Sequence, residues 1–359
     1  MIIKIILLYF LPFAASFLVA IFLTPKIRKF ALDKGIVDKP EEERKIQKGH
    51  VPLLGGVVIY FSFLVVLLGV WALGFLNDGR IEVSQILAII FGGLIIIIIG
   101  FLDDKYNIST KSFLGPLLAA ILAVCLGIAI KYVTNPFIPG AGPYGRALFY
   151  FSPWIGPAFS FVWLLGMMYT TKFLDGLDGL VSGIGSIGAI ILFIVSLFWD
   201  VPQSGTSIMC LILAGACLGF LRYNWHPARI FLGESGSVFI GFILGVLSII
   251  SGGKIATALL IMGIPILDVL WVIVRRIFKE KKSPFSGDSK HLHFRLLEVG
   301  FSHRGAVLFL YFLTLVFGTS SLFLQSRNKV IALCILILVM LILAYVIVSR
   351  YSKKKTPII

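Results

Sequence analysis

Long apolar segments separated by short polar loops dominate this chain. A helix needs about 20 apolar residues to cross the hydrocarbon core of a bilayer, and most of the segments have roughly that length. The pattern predicts an all-α integral membrane protein of about eleven transmembrane helices. The segments fall approximately at residues 2–24, 51–76, 83–102, 112–130, 154–173, 179–199, 206–221, 236–250, 255–278, 305–325 and 330–349.

The composition leaves no room for a large soluble domain. Of the 359 residues, 58% are hydrophobic and 14% are charged, which is too little polar surface for a water-soluble globule of this size. The first segment is too long for a signal peptide and is followed by ten others, so we expect it to span the membrane. The chain is therefore predicted to form a single polytopic membrane domain over residues 1–359.

The basic residues predict the orientation of the chain. Of the 32 Lys and Arg residues, 25 fall on one side of the predicted membrane and seven on the other. Cytoplasmic loops carry the excess of Lys and Arg, so we expect the N-terminus outside and the C-terminus in the cytoplasm. Membrane orientation accounts for the net charge of +15 without nucleic acid as a partner. The acids follow the same division, with 14 of 17 on or near the cytoplasmic side, which predicts the active site there.

Two pairs of aspartates lie where predicted helices leave the membrane on that face. Asp103 and Asp104 end the third segment, and Asp175 and Asp178 belong to the sequence DGLDGL between the fifth and sixth segments. Neighbouring like charges at a membrane edge are usually neutralised by a cation or hydrated in a loop. A helical turn would place Asp175 and Asp178 on one face. A tight glycine turn with solvated acids is the structural alternative.

Two further motifs lie on the same face. In the sequence FLGESGS at 231–237, Ser235 or Ser237 could cap the next helix, whose N-terminus would favour a phosphate. His291 and His293 precede Arg295 in the largest cytoplasmic loop. This arrangement fits phosphate recognition, with zinc as the weaker alternative. Together with the carboxylates and the basic first loop, the motifs suggest a Mg²⁺ site for a polyphosphate substrate.

Taken together, the motifs resemble the polyprenyl-phosphate N-acetylhexosamine-1-phosphate transferases, a membrane superfamily that includes phospho-N-acetylmuramoyl-pentapeptide transferase. The sequence HLHxRL is more similar to the branch that uses UDP-N-acetylglucosamine, with the muramoyl-pentapeptide branch as the alternative. The matching motifs are PxxGG at 52–56, the aspartate pair at 103–104, DGLDGL at 175–180, NxxPA and FxGxxGS within 224–237, and HxHxRL at 291–296.

The resemblance implies transfer of a sugar 1-phosphate, foremost N-acetylglucosamine 1-phosphate, from a UDP-sugar to undecaprenyl phosphate, with release of UMP. It also implies the bacterial inner membrane as the location, Mg²⁺ or Mn²⁺ as the cofactor, and a homodimer as one compatible assembly. The implied catalytic residues are Asp103, Asp104, Asp175 and Asp178, and the implied metal ligands are Glu234 and Asp175. The implied substrate-binding residues are Lys172, Asn224, Phe231, His291, His293 and Arg295, to which we add Lys48 and Lys111 from the basic loops.

Three residues depart from the family's usual pattern. Lys172 stands where an asparagine is usual, Glu234 replaces an aspartate, and Phe294 replaces a histidine. A glutamate keeps the charge and the hard oxygens that Mg²⁺ prefers, but it reaches one methylene further. The departures leave open an altered sugar preference and an inactive relative.

A secondary transporter is the alternative from another functional class. A transporter should concentrate ionisable residues within its spans. Here Asp268 is the one acid well inside an apolar segment, so the sequence favours chemistry at the membrane surface.

Overall fold

The computed structural model describes residues 6–38, 50–76, 81–106, 112–135, 148–199, 204–252, 254–281, 291–324 and 326–355. A π-helical turn (Ile6–Phe10) leads into the first helix, and a second (Arg275–Glu280) extends the ninth. The helices are α1 (Leu11–Asp33), α2 (Gly55–Ala72), α3 (Val83–Tyr106), α4 (Leu114–Cys125), α5 (Ile155–Leu174), α6 (Leu180–Trp199), α7 (Gly205–Asn224), α8 (Gly233–Ile250), α9 (Ile255–Val274), α10 (Leu292–Val299), α11 (His303–Phe323) and α12 (Ser326–Lys355). Two antiparallel hairpins pair β1 (Val37–Asp38) with β2 (Val51–Pro52), and β3 (Tyr132–Thr134) with β4 (Leu148–Tyr150).

Nine helices within the described ranges are long and apolar enough to cross a membrane. The prediction of a helical, multi-pass membrane protein is therefore confirmed. Two of the eleven predicted spans are not among the nine. α4 has only 12 residues, and α5, although it has 20 residues, carries Thr170, Thr171 and Lys172 in its last turns. The number eleven stays a prediction.

The first predicted segment boundary was wrong. We expected a loop from residue 25, but α1 continues through Pro25 to Asp33. Proline removes one backbone donor and bends a helix, yet here the following turns remain helical. The first loop is shorter than the sequence suggested, and its two ends are joined by the pairing of β1 with β2.

The core of the bundle is formed by α7 and α8. In the most apolar 18-residue stretch of each helix, the buried share is 83% in α7 and 89% in α8, whereas it is 11% in α12. α7 packs against α1 and α6, and α8 packs against α3 and α5. Side chains at Gly215 and Gly219 would collide with the backbone carbonyls of Phe13 and Phe17 in α1. Small residues thus allow these two helices to approach closely, as is usual for packing within membranes.

One end of the bundle collects the polar motifs, and we call it the polar end; it contains Asp104, Asp178, Glu234, His291 and His303. At this end, the PxxGG motif forms backbone hydrogen bonds with the segment that precedes α8. Phe231 donates its amide to the Pro52 carbonyl at 2.8 Å, and Gly55 donates to the Phe231 carbonyl at 3.0 Å. A side chain at Gly56 would collide with the backbone of α8 at Gly236. The two glycines therefore allow the start of α2 to lie against the start of α8.

Candidate active site

The aspartate pair of α3 lies against the first turn of α8. The Glu234 amide donates a hydrogen bond to Asp104 Oδ1 at 3.2 Å. Gly233 has φ +74°, and a Cβ there would lie 2.7 Å from Asp104 Oδ2. Glycine at 233 is therefore required both by the backbone and by the nearby carboxylate. Within the described residues, Asp104 Oδ2 is buried without a hydrogen-bond partner, which is costly unless a cation binds there.

Two of the residues that depart from the family's pattern contact each other. Lys172 Nζ lies 2.6 Å from Glu234 Oε1 and 3.2 Å from Ser112 Oγ. The side chains of Lys172 and Glu234 are 25% and 17% exposed, respectively. They project from the end of α5 and the start of α8. We call Asp104, Lys172 and Glu234 the carboxylate–lysine cluster.

Asp175 and Asp178 lie in the turn between α5 and α6, so the helical turn that we considered for them is wrong. α5 ends at Leu174, where Asp175 leaves the helical conformation with ψ +61°, and Gly179, at φ +78°, directly precedes α6. Asp175 as a whole residue is exposed, but protein surrounds its carboxyl group and displaces water from it. This desolvation, together with the charge of Asp178, raises the pKa of Asp175 to about 7. Without a cation nearby, Asp175 is therefore partly protonated at neutral pH.

Asp178 belongs to a hydrogen-bonded network with two histidines. Its Oδ2 lies 2.7 Å from His226 Nδ1 and accepts the Ala228 amide at 3.1 Å. The Asp178 amide donates to His303 Nε2 at 2.9 Å, so that nitrogen is the unprotonated one. The rings of His226 and His303 stack with their centroids 3.9 Å apart. The network holds the DGLDGL turn against the connection between α7 and α8 and against the start of α11.

The same three residues are the group in the described ranges whose potential metal-ligand atoms lie within 4.8 Å of one another. Their geometry suits hydrogen bonding better than metal ligation. The two imidazole planes are within 14° of parallel, so their in-plane lone pairs do not converge. His303 Nε2 already accepts a backbone proton. We did not expect His226 or His303 in the site; the position of His226 inside NxxPA was the available signal.

Asn224 connects the DGLDGL turn to the segment before α8. Its Oδ1 accepts hydrogen bonds from the Gly179 amide and Ser182 Oγ, each at 3.0 Å. Its Nδ2 donates to the Ile230 carbonyl at 3.0 Å. Asn224 is buried and bonds protein groups at both ends of its amide. It therefore positions the neighbouring Phe231, which is half-buried, and direct contact of Asn224 with a nucleotide stays a prediction.

The HxH motif is anchored by the acid within α9. Asp268 Oδ2 lies 2.9 Å from His291 Nδ1, and Asp268 Oδ1 accepts the Leu292 amide at 2.9 Å. His291 has extended backbone and precedes α10, so its ring lies nearly parallel to that of His293, with centroids 5.7 Å apart. From the sequence we had noted Asp268 only as an acid inside a span. The structure identifies it as the partner of the motif.

His293 lies between this anchor and the DGLDGL turn. A side chain at Gly176 would collide with its Nε2, so the glycine makes room for the ring. Burial lowers the pKa of His293 to about 3, and the imidazole is therefore neutral at pH 7. A neutral imidazole recognises a ligand through hydrogen bonds and not through charge.

The remaining predicted residues have other positions or lie outside the described residues. Arg295 lines a cavity of about 210 Å³ between α9, α10 and α12, together with Asp268, Trp271 and Met340. Ser235 and Ser237 lie inside α8 and not at its cap, so the capping prediction was wrong. Lys48 and Lys111 lie outside the described residues.

Comparison with known proteins agrees with the motifs. Residues 86–252 match glycosyl transferase family 4. A probable undecaprenyl-phosphate N-acetylglucosaminyl 1-phosphate transferase of Bacillus subtilis is 33% identical, over 92% of this chain and 88% of the relative. A decaprenyl-phosphate N-acetylglucosaminephosphotransferase of Mycolicibacterium smegmatis is 33% identical, over 85% and 79%. An undecaprenyl-phosphate alpha-N-acetylglucosaminyl 1-phosphate transferase of Salmonella typhi is 29% identical, over 82% and 79%. The resemblance seen in the sequence is confirmed, and the chain belongs to glycosyl transferase family 4.

Proposed function

We propose that this protein transfers N-acetylglucosamine 1-phosphate from UDP-N-acetylglucosamine to undecaprenyl phosphate and releases UMP. The names of its relatives specify N-acetylglucosamine and a polyprenyl phosphate. One observation carries the proposal. The carboxylate–lysine cluster and the hydrogen-bonded turn at Asp178 lie together at one end of a membrane bundle. An inactive relative would be under no requirement to keep, near this turn, an Asp104 oxygen that has no hydrogen-bond partner among the described residues.

The polar end is proposed to face the cytoplasm from the bacterial inner membrane. The excess of Lys and Arg in the loops and the tail on this side supports that orientation. UDP-sugars are water-soluble and polyprenyl phosphates are membrane-bound, so a site at the ends of spanning helices reaches both substrates. A transporter would need its binding groups near the middle of the spans.

The chain's residues fit a divalent cation, for which we propose Mg²⁺ with Mn²⁺ as a substitute. Asp104 and Glu234 would hold it, with Asp175 close to them at the end of α5. Mg²⁺ is typically bound by one or two carboxylates together with substrate phosphates, and Asp104 Oδ2, which is buried without a hydrogen-bond partner in the described residues, would suit it as a ligand. When bound, the cation would neutralise charge on the diphosphate.

The protein's own residues mainly have to bring two anions together. The acceptor phosphate has a second pKa near ~6, so much of it is already a dianion at neutral pH and needs little help from a base. Its oxygen forms a bond to the β-phosphorus of the donor while the bond to UMP breaks. The carboxylate–lysine cluster aligns these phosphates, and the network around Asp178 and Asn224 orients the nucleotide beside Phe231.

The test is a reaction with purified protein in lipid nanodiscs, radiolabelled UDP-N-acetylglucosamine, undecaprenyl phosphate and Mg²⁺. We expect a radiolabelled lipid and UMP in equal amounts. UDP-N-acetylgalactosamine and UDP-N-acetylmuramoyl-pentapeptide serve as alternative donors, and Asp104→Asn serves as the inactive control. Preference for the pentapeptide donor would assign the protein to the other branch, and no lipid product from any donor would refute transferase activity.

A further inference from the structure

We propose that Lys172 is a built-in competitor of the divalent cation. Its ammonium group neutralises Glu234 in the metal-free protein, and metal binding at Glu234 displaces it. The inference rests on the metal site of the proposed function. It adds that this chain is stable without metal, and that it needs a higher metal concentration than it would with an uncharged residue at 172.

The contact geometry supports a strong ion pair. The separation of 2.6 Å between Lys172 Nζ and Glu234 Oε1 is at the short end for a charge-assisted hydrogen bond. Ser112 Oγ, at 3.2 Å, provides the ammonium with a second partner. Because both side chains are more than two-thirds buried, solvent screens the pair only in part.

The surroundings of Glu234 favour a positive charge. Its amide bonds Asp104, whose second oxygen is buried and has no hydrogen-bond partner in the described residues. Neighbouring carboxylates repel each other unless a cation lies between them or one takes a proton. Lys172 supplies one positive charge from within the chain. A divalent ion that approaches Glu234 meets that ammonium and is repelled by it.

Lys172 is directed to Glu234 and not along its own chain to the DGLDGL turn. In the sequence, Asp175 lies three residues after Lys172, a spacing at which the two side chains could pair. However, α5 ends at Leu174, and the partners of Lys172 Nζ are Glu234 and Ser112. An uncharged side chain at 172 would bring no positive charge to Glu234, so the competition depends on the lysine.

The experiment measures Mn²⁺ binding to the full-length, detergent-purified protein without substrates, by the electron paramagnetic resonance signal of free Mn²⁺. Lys172→Met should bind Mn²⁺ roughly tenfold more tightly than the unmodified protein, because the repulsion is gone. Lys172→Arg keeps the charge and should bind as the unmodified protein does. Lys131→Met removes an exposed charge next to β3, outside the polar end, and should also leave the affinity unchanged.

Two further measurements make the result specific. Without metal, Lys172→Met should melt at a lower temperature than the unmodified protein, and saturating Mn²⁺ should remove that difference. In a Glu234→Gln background, Lys172→Met should no longer tighten Mn²⁺ binding, since the contested carboxylate is absent. If Lys172→Met does not fold, Lys172→Gln, which retains hydrogen-bonding capacity, replaces it.

Unchanged or weaker Mn²⁺ binding in the uncharged variant overturns the inference, as does tighter binding that persists in the Glu234→Gln background. The outcome is separate from that of the transferase assay. An active enzyme with unchanged Mn²⁺ affinity in Lys172→Met refutes only the competition. A protein without transferase activity that still shows the tenfold tightening refutes only the proposed function.

Discussion

The two sides of the polar end differ in how completely the protein satisfies their polar groups. On one side, Asp178 and Asn224 bond histidines, backbone amides and a hydroxyl. On the other side, Asp104 keeps a buried oxygen without a partner in the described residues, and Glu234 depends on Lys172. The first side is preorganised before any ligand binds. On the second side, a bound cation would neutralise the carboxylates that the protein leaves incompletely paired. Substitutions on the two sides should therefore have different consequences.

The largest expected effect is on the incomplete side. Asp104→Asn should lower turnover at least about a hundredfold, because it removes a charge from the cation-binding carboxylates. Its melting temperature should change little, because an asparagine oxygen can still accept the Glu234 amide. Asp33→Asn, at the exposed end of α1, is the matched control. A near-normal turnover of Asp104→Asn would remove Asp104 from the catalytic group.

On the preorganised side, Asp178→Ala should reduce stability as well as activity. It leaves the His226 nitrogen and the Ala228 amide without their partner, at a cost of about 1–3 kcal/mol in the free energy of unfolding. Thermal unfolding and steady-state kinetics are to be measured together, and we expect a loss of roughly tenfold in kcat/KM. If Asp178→Ala were as stable as the unmodified protein, the contrast between the two sides would be wrong.

Asp268 tests whether the preorganisation extends to the HxH motif. Asp268→Asn should raise KM for the UDP-sugar about tenfold and change kcat less, because it disturbs the position of the motif and not the reacting phosphates. His291→Ala should have the same effect, and the double variant should be little worse than either one, as expected for two residues that act as a pair. Additive losses would show that Asp268 supports only the helix packing.

The pKa of Asp175 predicts how stability depends on pH. Its value in the folded protein, about 7, lies above the ordinary value near ~4, so the folded state binds the proton more tightly than the unfolded state does. This contribution to stability is present below pH ~4 and is lost as the pH rises through about 7. The melting temperature of the metal-free protein should therefore fall between these values, and Asp175→Asn should show a shallower slope. Saturating Mg²⁺ should also reduce this slope in the unmodified protein. An unchanged slope would show that the cation binds far from Asp175.

The smallest effect is expected at His293. Because its pKa is about 3, the imidazole stays neutral across the physiological range. His293→Ala should weaken donor binding a few-fold, as a lost neutral hydrogen bond does. The pH profile of kcat/KM between 5 and 8 should keep its shape. A profile that loses an inflection in this variant would show that His293 is charged when the donor binds.

By itself, the sequence determined the class of the protein and the residues that assemble at its polar end. Apolar length is a local property, and the chemistry of a bilayer converts it directly into spanning helices. Motif residues such as Asp104, Asp178 and His291 could be identified from their residue types and their spacing along the chain. Even at this level, α4 and α1 departed from the predicted bounds, because helix ends depend on packing as well as on composition.

Tertiary structure alone decided which of these residues bond to each other. Lys172 and Glu234 are 62 positions apart, Asp178 and His303 are 125 apart, and Asp268 and His291 are 23 apart. Nothing in the local sequence distinguishes Glu234 from Asp175 as the partner of Lys172. The difference arises because the bundle brings the end of α5 against the start of α8, where the partly buried Glu234 carboxylate pairs with the Lys172 ammonium.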